Sequence, residues 1–362
     1  YLLDVASEAK IYEAQIVPQL GLPIAPHTVF VLSLFAVMSR LYRPVRAHYR
    51  DERLGAIAAS LNPAEKALLL SYGEVPRRLD PLDAALLAKH IPAVADEHRL
   101  GPAREGVDGV SPRTIRSILL SLASKAEAII TPLDALEALG QFIEERGDGL
   151  FRLNPDAGYY APRELLRLAK EAWLDRGEME LSSASGLFLE GDTERLFQRY
   201  IQHISHADRG ERFINPITAA EEAPSESFMC SIEARITETG GPEFRREQIA
   251  RIADHALRSE DGELDLGAIF PDLIQRLEAS YYEEYRRELR ALLEAAKDRL
   301  SAALVDEAEQ LGKGSLSSRP DSDPSSDVEA LIGSMRDRYG YDPRALLVLI
   351  ETILRERYEF IG

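Results

Sequence analysis

Ser111-Pro112-Arg113-Thr114-Ile115-Arg116-Ser117-Ile118-Leu119-Leu120-Ser121-Leu122 follows a pattern that recurs along the whole chain. Ser111 has the short oxygen-bearing side chain that accepts hydrogen bonds at a helix N-cap. Pro112 lacks an N–H at the position where the first turn has no use for one. Ile115, Ile118, Leu119 and Leu122 then recur at three- and four-residue spacing, on one face of a helix. Arg113 is the misfit. It stands in the first turn, where the helix already carries partial positive charge, so helix stability does not account for it. An anion partner would account for it, and so would a neighbouring surface carboxylate; the residues alone leave both open.

The same pattern repeats outward in both directions. Asn62-Pro63-Ala64-Glu65 reads as a cap, a proline at N1 and an acidic first turn before the apolar run Ala67 to Leu70. Pro26 opens a helix over 26–42 through Val29, Leu32, Phe35, Ala36, Met38 and Leu41, stopped by Pro44. Pro81 starts a short helix ending near His90, before Pro92, and the charged, glycine-rich stretch 95–110 reads as a loop. Thr131-Pro132 caps another helix, with Leu133, Leu136, Leu139 and Phe142 on one side. Gly147, Gly149, Pro155 and Gly158 around Leu150, Phe151 and Leu153 make 149–160 the place for one short β-hairpin and a boundary between two halves.

The second half predicts helices at 162–177, 192–206, 225–237, 242–258 and 268–311, with a polar loop at 207–224. In the long one, Tyr285, Leu289, Leu293, Ala296, Leu300, Leu304 and Leu311 keep helical spacing, which favours core packing over coiled-coil pairing. Glu283 and Arg287 stand as an i,i+4 pair. Residues 312–327 are rich in Ser, Asp, Gly and Pro and read as a flexible linker. A helical pair follows at 328–362, split near Tyr339-Gly340-Tyr341-Asp342-Pro343. The expected fold class is mainly α.

Composition narrows the function classes. The 362 residues hold 43 Lys+Arg against 61 Asp+Glu, a net charge of −18 that disfavours nucleic acid and anionic lipid as broad partners. The longest apolar run, Val29 to Met38, is about half the ~20 residues a membrane span needs. Asp4 and Glu8 interrupt the place where a secretory signal would have its apolar core. A single cysteine, Cys230, rules out an internal disulfide and a cysteine-cluster metal site, and fits a reducing cytoplasm. The chain opens on Tyr1 in domain-like sequence, and is expected to be a piece of a larger protein.

Chemistry-bearing motifs are scarce. Gly312-Lys313-Gly314-Ser315 is the one superficial phosphate-loop candidate, without the spacing, preceding strand or following helix that such a loop needs. The glycine-rich loop, His-Arg-Asp and Asp-Phe-Gly of the usual protein kinases are missing from the sequence. His203 and His206 share a helix face and His255 lies on another helix, which raises a histidine-ligated metal hydrolase as one hypothesis. Without a third ligand at metal spacing, a capping or exposed role is preferred, and no metal site is assigned. Cys230 reads as a small, buried or partly buried residue rather than an activated nucleophile.

Three groups of segments, in order, resemble the bacterial PrkA-type serine protein kinase family. Ile24-Ala25-Pro26-His27-Thr28 with Phe35-Ala36-Val37-Met38-Ser39-Arg40-Leu41 is similar to the helix that follows that family's ATPase core. Gly109-Val110-Ser111-Pro112-Arg113, leading into Thr131-Pro132-Leu133-Asp134-Ala135-Leu136, resembles an AAA+ lid. Asn215-Pro216-Ile217-Thr218, Met229-Cys230-Ser231-Ile232-Glu233 and Phe244-Arg245-Arg246-Glu247 resemble the family's Asp-Pro-Ile-Thr-Gly, Met-Arg-Ser-Ile-Glu and Phe-Arg-x-Glu segments. Asn215 replaces the acid, Ala219 the glycine and Cys230 the arginine.

The resemblance implies a layout and a role. Residues 1–147 would be an AAA+ lid-like helical region with an insertion at about 43–108, and 148–311 a PrkA C-terminal-like helical domain. The arginine of the Ser-Pro-Arg turn is the lid's sensor-2 group, which approaches the nucleotide γ-phosphate; on this chain it is Arg113. The ATPase core, with ATP and Mg, would precede Tyr1 in the full-length protein, and this chain alone would bind neither. Its partners would be that core, a protein substrate or regulator, and further copies in a homo-oligomer. A non-catalytic helical scaffold or docking module, presenting the 283–311 helix, is the alternative.

Overall fold

The computed structural model describes residues 1–99, 104–126, 128–146, 160–187, 192–214, 221–258, 266–313 and 326–358. They are mainly helical, as the spacing predicts. The described chain forms two compact units, one of residues 1–184 with 295–362, the other of residues 185–294.

The first unit is built around a helix that is buried on every side. After α1 (Val5–Gln15) comes α2 (Thr28–Met38), and all eleven residues of α2 are buried. A helix apolar all round needs neighbours all round. Here α1, α4 (Pro63–Tyr72), α7 (Pro112–Lys125) and α8 (Pro132–Arg146) contact it. This uses the apolar run Val29 to Met38 as core, and among the described residues no helix is long and apolar enough to cross a membrane.

Between α2 and α7, α3 (Glu52–Ser60), α4, α5 (Pro81–Lys89) and α6 (Ile91–Asp96) enclose a smaller core of Leu54, Ile57, Ala58, Leu61, Leu69, Leu87 and Val94. Asn62 and Glu65 close a full capping box on α4. The helix expected to end near His90 does so, with His90 as the C-cap of α5, and Pro92 then occupies the first turn of α6.

The unit is completed by α9 (Pro162–Ser185), the latter part of α14 (Pro271–Lys313), α15 (Ser326–Tyr339) and α16 (Pro343–Ile353), followed by a π turn at Leu354–Tyr358. Gly177 of α9 lies so close to α16 that an added Cβ would meet Leu349 at 2.5 Å.

In the second unit, α10 (Asp192–Arg209), α11 (Glu226–Ile236), α12 (Pro242–Arg258), α13 (Leu266–Ile269) and the first part of α14 surround a core of Phe197, Tyr200, Ile204, Met229, Ile232, Phe270 and Leu277. A two-residue antiparallel pair, β1 (Phe213–Ile214) with β2 (Glu221–Glu222), interrupts the loop expected at 207–224. The hairpin expected at 149–160 and most of the linker at 312–327 lie outside the described residues. Along α14, Leu289, Leu293, Ala296 and Leu300 are buried, in line with core packing. Arg287 donates to the backbone carbonyl of Glu283 (3.3 Å) instead of forming the expected side-chain pair.

Candidate functional site

Arg113 stands where the cap logic puts it. Ser111 Oγ accepts from the Thr114 N–H at 3.1 Å, Pro112 occupies the first turn, and the Arg113 side chain is exposed. It makes no side-chain hydrogen bond or ion pair with any described residue. A cation at the positive end of a helix, with no carboxylate drawn to it, is available to an anion from outside.

The turn that presents it is held from beneath. Val110 has its N–H bonded to Ser39 Oγ (2.8 Å) and its carbonyl bonded to Arg40 Nη2 (2.7 Å) and Nε (3.0 Å). Arg40 spends its remaining donors on the Glu8 carboxylate in a bidentate pair (2.6 and 2.9 Å) and on the Leu2 carbonyl (2.7 Å). The two charged side chains are 0% exposed. Tyr12 also donates to Glu8, and its hydroxyl is held protonated by burial and by that carboxylate. Two charges buried this deeply are tolerated only because nearly every donor and lone pair is used. Gly109 is needed for the same reason: φ is +106°, and a Cβ there would meet the Ser39 carbonyl oxygen at 2.5 Å.

A second buried pair braces the approach to this turn. Lys66 Nζ donates to Glu105 Oε1 (2.6 Å) and to the Tyr42 carbonyl (2.9 Å), with side chains 0% and 1% exposed. Glu105 also accepts from the Tyr42 N–H (2.7 Å), and the Gly106 N–H bonds to the Arg40 carbonyl (3.2 Å).

The stretch that resembles the post-core helix is tied to the start of α8 as well. Ala25 N–H donates to the Ile130 carbonyl (2.9 Å), and Ile130 N–H to the Pro23 carbonyl (3.1 Å). His27 takes a left-handed conformation (φ 65°) and pairs with Glu180 (2.9 Å), which also accepts from Tyr341 (2.9 Å). So the two groups of family-like segments in this unit, 24–41 and 109–136, form one hydrogen-bonded framework with Arg113 on its surface.

In the second unit, the family-like segments supply a separate cluster. Arg245 donates to Glu233 (2.5 Å) and in bidentate fashion to Glu226 (2.7 and 2.8 Å), while Tyr200 and the Gly241 N–H complete Glu233. The Arg245 bonds hold the Glu226 carboxyl below its ordinary range. Cys230 is exposed, not buried or partly buried as expected, and lies 3.5 Å from the Arg245 guanidinium and 3.6 Å from Glu226.

His203 accepts from the Ser225 N–H (3.1 Å), and both His203 and His206 lie against the Phe213 ring. No trio of metal-binding side chains gathers around them or His255 among the described residues. Lys313 closes α14, and Gly314-Ser315 lie outside the described residues.

The sequence singles out Arg113 as a candidate but not the residues that hold its turn. Their signal was present: Arg40 and Lys66 are charges embedded in apolar runs, where only a buried partner makes them tolerable.

The model for the family described as PrkA serine protein kinase C-terminal domain matches residues 65–351. The ATP-dependent protease PrkA of Bacillus subtilis (strain 168) is 24% identical over 265 residues, covering 72% of this chain and 37% of that relative. No solved structure gives a significant match.

Proposed function

The chain belongs to the PrkA family, and on that premise we propose that it supplies the lid and C-terminal region of an ATP-dependent protein, with Arg113 as its nucleotide-sensing group. ATP with Mg would be held by an AAA+ module and supply the phosphoanhydride chemistry. This chain's part is regulatory: Arg113 brings a positive charge toward the γ-phosphate, and the buried Arg40–Glu8 pair fixes where that charge stands. The observation that carries the reading is the exposed Arg113, unpaired among the described residues, on a turn whose backbone is locked by Ser39 and Arg40, both within the family-like stretch.

The family description speaks of a serine protein kinase and the relative's name of a protease. Use of ATP is common to both, and the lid reading needs only that. The test is steady-state ATP hydrolysis by the complete polypeptide. Arg113→Ala lowers the rate under this proposal, and Arg113→Lys restores part of it. An unchanged rate overturns the sensor role. Adding casein with labelled ATP separates the two names, since a kinase transfers label and a protease releases peptides.

A further inference from the structure

The region between α2 and α7 holds a cluster away from Arg113 itself, joined to the Glu105 brace by the bond from the Glu105 N–H to the His98 carbonyl (3.1 Å). His48 ends a short 3-10 turn at Arg46–His48, and Glu97 and His98 follow α6. The small core of Leu54, Ile57, Leu87 and Val94 closes these segments on one another, although His48 and Glu97 are 49 positions apart. His48 Nδ1 is 3.0 Å from Glu97 Oε1, and His98 Nε2 is 3.4 Å from the same oxygen. One ligand atom from each residue lies within 4.8 Å of both others.

Burial makes this arrangement demanding. The Glu97 side chain is 2% exposed and that of His98 is 7% exposed, yet no Lys or Arg pairs with Glu97 among the described residues. The Val45 N–H and the Tyr49 hydroxyl donate to its two oxygens, each at 2.6 Å. These are neutral donors. They orient the carboxylate without cancelling its charge. The two imidazoles face the carboxylate with ring nitrogens that also ligate metals.

We propose that His48, Glu97 and His98 form a binding site for a zinc-class divalent cation. A tetrahedral site with metal–ligand lengths of about 2.0–2.1 Å has edges of about 3.4 Å, close to the two nitrogen–oxygen separations seen here. Two imidazoles and a carboxylate suit zinc or cobalt, whereas magnesium and calcium prefer oxygen alone. Val45 and Tyr49 act as the outer partners that aim the carboxylate. The Arg43 carbonyl, 3.1 Å from His98 Nε2, is the nearest further oxygen, and half-exposed His48 leaves a path for the ion. Binding requires that the facing nitrogens carry no proton, so the cation replaces the hydrogen bonds that His48 and His98 otherwise make there.

The test uses the 362-residue chain, stripped with a chelator and titrated with Co2+ by visible absorption and with Zn2+ by calorimetry. The proposal expects one saturable site with a tetrahedral cobalt spectrum and a Zn2+-dependent rise in melting temperature. Because His48 is half exposed, His48→Ala should fold normally, weaken the affinity at least about tenfold and abolish the thermal shift. Glu97→Gln, checked for folding by circular dichroism, should do the same. Absence of saturable binding to the folded chain overturns the proposal, as does binding that both variants leave unchanged.

Discussion

The guanidinium of Arg40 reaches through the first unit to the carbonyl of Val110, 70 positions along the chain, while its other side grips Glu8. Arg40 is thus a structural strut for the turn that exposes Arg113, and the two arginines should respond to mutation in opposite ways. Arg40→Met leaves Glu8 a buried, uncompensated carboxylate and the Val110 carbonyl unsatisfied, at a cost of about 3–5 kcal/mol. Arg113→Ala removes an exposed side chain and should change stability by less than about 0.5 kcal/mol. Urea unfolding of the two variants measures both.

Gly109 and Gly73 share a positive φ but not their surroundings. At Gly73 an added methyl meets nothing within 4 Å, so Gly73→Ala costs about 1 kcal/mol for the left-handed backbone alone. At Gly109 the methyl also collides with the Ser39 carbonyl and the Arg40 side chain, and the cost should exceed about 3 kcal/mol. Equal thermal shifts for the two variants would show that the turn is not packed against Ser39 and Arg40.

The second unit should weaken in acid through Glu226. Its carboxyl is held below its ordinary value by hydrogen bonds from Arg245. A depressed folded value means that the contribution to stability is present above the ordinary glutamate value of about 4.3, and is lost as pH falls through the folded value. The stability difference between the unmodified chain and Glu226→Gln should therefore shrink as pH is lowered from about 7 to about 3. Glu226 is mostly exposed, so the difference is small even at neutral pH.

Local signals in the sequence carry much of this structure, and tertiary ones little. Asn62, Pro63 and Glu65 announce α4 because a capping box is written within four residues. The helix α3 is less visible because Gly55 interrupts it; a Cβ there would meet the Arg46 carbonyl oxygen at 2.7 Å, so packing rather than helix propensity chose glycine. In α1 the buried face is Val5, Glu8 and Tyr12, and the charge disguises the apolar stripe.

The same divide runs through the site. Arg113 is legible because its oddity is local, a positive charge in a first turn. Arg40 with Glu8, and Lys66 with Glu105, pair across 32 and 39 positions, and His48 meets Glu97 across 49. No spacing rule connects residues so far apart; only the fold brings them together.

The proposed sensing of the γ-phosphate by Arg113 is tested most directly by comparing ATP with ADP. In the complete polypeptide, equilibrium affinities for both nucleotides are measured with Arg113 and with Arg113→Ala. Loss of one charge-assisted hydrogen bond should weaken ATP by about 10- to 100-fold while moving ADP by less than about threefold. Equal changes for the two nucleotides, or none for either, would contradict the account.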